Sequence, residues 1–112
     1  MVEANAEQKR MAYTQTFLGL VQSIAAAGMA QLGKMANPVT GKIERDLEQA
    51  QYSIAMLEML SEKTDGNLDK DEATVLSTVL TNLRLNFVEE AKKEPEADKD
   101  QEAEKEKDDA SE

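Results

Sequence analysis

Asp65-Gly66-Asn67-Leu68-Asp69-Lys70-Asp71-Glu72-Ala73 is the stretch on which the fold of this chain turns. Leu68, Asp69 and Glu72 read as a hydrophobic staple around a capping box: the Asp69 carboxylate takes a first-turn amide, and the Glu72 carboxylate reaches back to the amide of Asp69. A helix therefore starts after Asp69. On the other side, Gly66 can adopt the left-handed backbone that ends a helix. One helix arrives at Gly66 and another leaves at Asp69, and so short a connection predicts an antiparallel hairpin. The outgoing helix carries Ala73, Leu76, Leu80, Leu83 and Phe87 at spacings of three and four, with Val75, Val79 and Val88 widening the stripe, and runs to about Lys92. The incoming one opens at Asp46, whose carboxylate can cap first-turn amides while Gln49 reaches back, and it presents Leu47, Ala50, Ile54, Leu57 and Leu60 for burial.

The same stretch places Asp65, Asn67 and Asp69 at the first, third and fifth positions of a calcium loop. The pattern then fails. Lys70 stands where the loop needs glycine for its turn, and Leu76 where a bidentate Glu should close the cage. The helix caps account for these residues, and no metal or other cofactor is expected.

Upstream, Asn37-Pro38-Val39-Thr40-Gly41 predicts a turn, because proline disfavours helix at Asn37 and glycine accepts a positive φ. A first helix should therefore stop near Ala36. Between Phe17 and Met35, the residues Phe17, Leu20, Val21, Ile24, Gly28, Leu32 and Met35 follow helical spacing, while Leu18, Ala25, Met29 and Ala36 form a second apolar face. Two amphipathic helices cannot cover both faces, so helix one needs further neighbours. Gly19, Ser23 and Ala27, four apart, would let another backbone approach closely, either helix two or three of the same chain or a second copy. The candidate interaction residues are Phe17, Gly19, Leu20, Ser23, Ile24, Ala27 and Leu32. The expected class is all-α: a polar lead-in (1–13) that is frayed or enters the first helix, a three-helix domain (14–93) and a tail (94–112). No repeat suggests a solenoid.

The 112 residues contain neither cysteine nor histidine. That excludes disulfides, thiol nucleophiles, Cys/His zinc sites and His-based catalytic dyads. Twenty-three acidic against 13 basic residues give a net charge of −10, the wrong sign for phosphate, so nucleic acid is not an expected partner. After Val88 the last 24 residues carry 12 acids and 5 bases and no Ile, Leu, Val, Met or aromatic residue. With nothing to bury, the chain beyond Lys93 and Pro95 is expected to be a disordered, acidic tail. Helix one is interrupted by Gln22, Ser23, Gln31 and Lys34, which argues against a membrane span, and Glu3 and Glu7 spoil a basic secretion leader. Carboxylate pairs such as Asp65 with Asp69 or Glu58 with Glu62 suit solvated faces, so no catalytic set emerges. Arg84, beside the stripe of helix three, is expected to pair with acids of helix two or to cap carbonyls.

Taken together, Phe17-Leu18, Leu32-Gly33, Asn37-Pro38 with Thr40-Gly41, Asp46-Leu47 with Ala50, Leu57-Glu58-Met59-Leu60, Lys63-Thr64 with Gly66-Asn67-Leu68, Leu76, Leu80, Leu83-Arg84 and Phe87-Val88 resemble a small bacterial all-helical domain family of unknown function. The resemblance covers about residues 14–89. It implies a bacterial, cytoplasmic, all-helical protein with no assigned activity and brings no catalytic or ligand-binding residue with it.

The expected function is thus a non-enzymatic cytoplasmic interaction module. It self-associates through helix one or binds a helical protein partner, and its acidic tail serves solubility or engages a basic partner. The alternative is a peripheral membrane or lipid-binding protein that lays helix one in the interface, which anionic lipid would resist.

Overall fold

Each helix begins where a side chain can take the amide hydrogens that the first turn leaves unpaired. The computed structural model describes residues 5–93 as α1 (Ala6–Gln31), α2 (Leu47–Lys63) and α3 (Lys70–Lys93). The tail expected over 94–112 lies outside the described residues. At α3 the capping box forms: the Glu72 amide donates to Asp69 Oδ1 at 2.8 Å and the Asp69 amide to Glu72 Oε1 at 2.9 Å. At α2 the Gln49 amide donates to Asp46 Oδ1 at 3.1 Å.

Helix α1 differs from expectation at both ends. It starts at Ala6, within the stretch expected as a polar lead-in, because Asn5 and Gln8 form a capping box of their own, at 2.7 and 3.1 Å. Ala6 to Ala12 are also mostly strong helix formers. It ends at Gln31 rather than near Ala36. Gly33, at φ 79°, closes a Schellman motif in which the Lys34 amide donates to the Met29 carbonyl (2.8 Å) and the Gly33 amide to that of Ala30 (3.0 Å). The chain then turns through residues 33–45 and returns, with the Asp46 amide donating to the Gln31 carbonyl at 2.7 Å.

The helices share one core of Val21, Leu32, Ala50, Ile54, Leu57, Leu76, Leu80 and Leu83, with Phe17, Ile24, Leu47, Leu60, Leu68, Val79 and Phe87 half-buried against it. Each fully buried leucine contributes about 1.5–3 kcal/mol. Ala73 and Val88, expected on the stripe of α3, are exposed instead. The helices draw together at Gly28, where an added Cβ would lie 3.0 Å from Leu83 Cδ2 and 3.5 Å from Ser53 Cβ. Buried Ser53 donates its hydroxyl to Gln31 Oε1 at 2.7 Å, joining α2 to α1 without an unpaired polar group.

Gly66 has φ 88° with open space around its Cα. Gly66→Val should therefore cost about 1–2 kcal/mol through backbone strain alone. A thermal melt checks this, and an unchanged midpoint would contradict the strain.

Candidate functional site

Helix α1 brings the predicted interaction residues together only in part. Gly19, Leu20, Ser23 and Ala27 are exposed, Leu20 by 48%, whereas Phe17 and Ile24 are half-buried against the core. Leu32 must be corrected: it lies in the core, drawn inward where the chain leaves α1 to bridge to Arg45. The close approach inside the molecule is made by Gly28, while Gly19 has nothing within 4 Å. The small residues Gly19, Ser23 and Ala27 thus do not receive α2 or α3.

Their surroundings carry no charge. From Met11 to Gly33 there is not one Asp, Glu, Lys or Arg, in a chain that is 32% charged. Gln15, Thr16, Gly19, Leu20, Gln22, Ser23, Ala26 and Ala27 are exposed along that stretch, forming a neutral outer face of small and apolar side chains. Such a face lets another helix approach closely without desolvating an ion.

The face continues past the bundle. The Thr14 hydroxyl donates to the Asp69 carboxylate at 3.2 Å, so α1 passes the α2–α3 turn at that level. Every residue from Asn5 to Tyr13 is exposed, including Met11 (59%) and Tyr13 (70%). The polar composition of this segment concealed it from a search for apolar periodicity; the pair Asn5 and Gln8 was the available signal.

At the opposite end of α1 the 33–45 connection presents Met35, Val39 and Ile43, exposed by 46%, 89% and 67%. Asn37 holds the turn. Its Oδ1 accepts from the Val39 amide (2.8 Å), its carbonyl from the Gly41 amide (2.7 Å), and its own amide donates to the Lys42 carbonyl (2.7 Å). A groove of about 280 Å³ runs beside this end, between Ala25, Met29 and Met35 on one side and Val79 and Asn82 on the other.

The main ionic cluster holds the 33–45 connection to α3. The Glu90 carboxylate, 9% exposed, lies 2.7 Å from Lys34 Nζ, 3.2 Å from Lys93 Nζ and 3.5 Å from Arg45 Nε. The Arg45 guanidinium also donates to the Glu90 carbonyl. The Lys34 hydrogen bond, aided by Lys93, holds the Glu90 carboxyl below the usual range against the opposing effect of burial, and Glu90 and Glu89 raise Lys34. Because the Glu90 value is depressed in the folded state, its stabilisation is present above about pH 4.5, the ordinary value, and is lost as pH falls through the depressed one. Lys34, being raised, stabilises below pH 10.5 and loses that contribution as pH climbs through its raised value. Glu90→Gln should therefore flatten the acid limb of a stability–pH curve and cost about 1 kcal/mol at pH 7, since the remaining amide still accepts. Equal acid limbs in both proteins would refute this.

Arg84 pairs with an acid of α2, as expected: Nη2 and Nε lie 2.8 and 3.3 Å from Glu58 Oε2, on an exposed rim. The groove beneath, about 430 Å³, is lined by Ser61, Ser77 and Thr81 together with Glu62 and the Arg84-paired Glu58. The Asp69 carboxylate is committed to the Glu72 amide and the Thr14 hydroxyl. Among the described residues no cluster of three acidic, His or Cys side chains could hold a metal, and no helix is long and apolar enough to cross a membrane.

A family model described as Domain of unknown function (DUF1844) matches residues 14–89, more than half of the chain. Nothing matched among curated proteins or among solved structures. The matched span holds the core, the neutral face and the Glu90 partners Lys34 and Arg45; the arm before Thr14 and Glu90 itself fall outside it.

Proposed function

The chain belongs to the DUF1844 family, and from that premise we propose that it is a non-enzymatic cytoplasmic interaction module that self-associates through α1. The neutral, exposed face from Gln15 to Ala27 is the observation that carries this reading. A helix that had only to cover its own α2 and α3 would place charged residues on its outer side. Here the outer side is built for contact, and the small side chains favour another helix as the occupant. The acidic segment over 94–112 keeps such an assembly soluble or engages a basic partner.

Sedimentation of the full chain over a hundredfold concentration range tests the proposal. A dimer or larger species is expected. Ser23→Arg, which places a long cation on the exposed face, should return the chain to monomer while shifting the melting midpoint little, since surface changes usually stay within about 0.5 kcal/mol. A wild-type chain that stays monomeric at tens of micromolar overturns self-association. Co-sedimentation of that monomer with anionic vesicles would move α1 to a membrane interface instead.

A further inference from the structure

We infer that the 33–45 connection is an ionically latched strap: it opens as a unit while the three-helix core stays folded, and the ionised Glu90 carboxylate is the latch that keeps it closed. This device is separate from self-association through α1 and does not depend on it.

The hydrophobic effect holds neither side of the contact. Between Leu32 and Leu47 no residue belongs to the core or packs against it, and from 33 to 45 none is buried. Beyond Phe87, α3 likewise adds nothing to the core, although Glu90 itself is buried. A segment that takes so little apolar surface out of water has a low free energy of local opening.

The tie to α3 is ionic instead. Lys34 near the start of the strap and Arg45 at its end both reach the Glu90 carboxylate, at 2.7 and 3.5 Å, and Arg45 also donates to the Glu90 carbonyl. One carboxylate thus fastens both ends. The interior is bonded to itself: Asn37 holds the Val39 and Gly41 amides, and its Nδ2 donates to Glu44 Oε1 at 3.3 Å. Such a segment moves as one piece between Gly33, at φ 79°, and the cap at Asp46. Met35 on the strap forms one wall of the groove that Ala25, Met29 and Val79 complete, so opening widens that groove without unfolding a helix.

Charge sets what releases the latch. Lys93 Nζ lies 3.2 Å from the same carboxylate, and Glu89 lies 3.3 Å from Lys34 Nζ. Buried pairs are screened little by salt, so the strap responds to loss of the Glu90 charge rather than to moderate ionic strength. A neutral Glu90 would leave Lys34, Arg45 and Lys93 facing one another with only Glu89 to offset them.

Two amides bond the ends of the strap to α1: Lys34 to the Met29 carbonyl and Asp46 to that of Gln31. Amide exchange of the full chain at pH 7, followed by NMR through a series of low urea concentrations, reads the opening. The Lys34 and Asp46 amides should exchange together and faster than the core amides of Leu57 and Leu80, through an opening that urea barely promotes because little surface is exposed. Glu90→Gln should speed the pair about fivefold, the effect of one weakened charge-assisted bond. Lys34→Gln should act in the same direction, and the double substitution should give less than the product of the two. Exchange of both amides only with the core, at the core's urea dependence, would show that no separate strap exists. A separate opening whose rate is unchanged by Glu90→Gln, or full multiplication in the double variant, would overturn Glu90 as the latch.

Discussion

Leu83→Ala should lower the unfolding free energy by about 2–5 kcal/mol, the range for truncating a fully buried leucine. Leu83 is 1% exposed, belongs to the core shared by all three helices, and caps the point where α1 comes closest. Its Cδ atoms lie 3.0 and 3.2 Å from where a Cβ on Gly28 would stand, so truncation removes the packing surface of α3 against α1. A domain of this size has a total stability on the order of 5–10 kcal/mol. The substitution should thus lower the urea midpoint steeply with little change in slope. A loss below about 1 kcal/mol would mean that the crossing collapses to fill the space.

The second large effect is at Gly28 itself. Gly28→Val should destabilise by about 1–3 kcal/mol by overpacking, even though leaving glycine favours the helix by a few tenths of a kcal/mol or more. The new methyl groups must enter space held by Leu83 and Ser53, and Ser53 is fixed by its bond to Gln31. Gly28→Ala is the milder case, since a flexible Leu83 side chain can give way by a few tenths of an ångström. Combining Gly28→Ala with Leu83→Val should cost less than the two changes summed, because the shortened side chain vacates the space that the added methyl needs. Strict additivity in urea melts would show that the two residues do not meet as described.

Both predictions concern a contact that residue spacing left undecided. Gly19, Ser23 and Ala27 advertise close approach as strongly as Gly28 does, and a helix apolar on several sides has no unique inside. Residues four apart on a helix differ by only about 40° around its axis, so spacing marks a stripe without saying which stripe meets a neighbour. For the same reason Leu32 reads as surface by its place in the series, yet the bridge to Arg45 draws it into the core. The end of α1 was legible in Leu32-Gly33-Lys34, but Pro38 is the louder signal and points five residues too far along the chain. The pairing of Arg84 with α2, by contrast, follows from its position at the edge of the α3 stripe.

By itself the sequence determined what depends on bonds within three or four residues. The caps at Asp46 and Asp69, the left-handed Gly66 and the all-helical class belong there, because each is a side chain or glycine meeting its own nearby backbone. The tertiary structure alone decided that Gly28 is the crossing, that Glu90 gathers Lys34 and Arg45, and that the neutral face of α1 points outward. These depend on segments far apart in the chain, and the rotation of one helix against another is set by how their side chains fill the space between them, which no local spacing encodes.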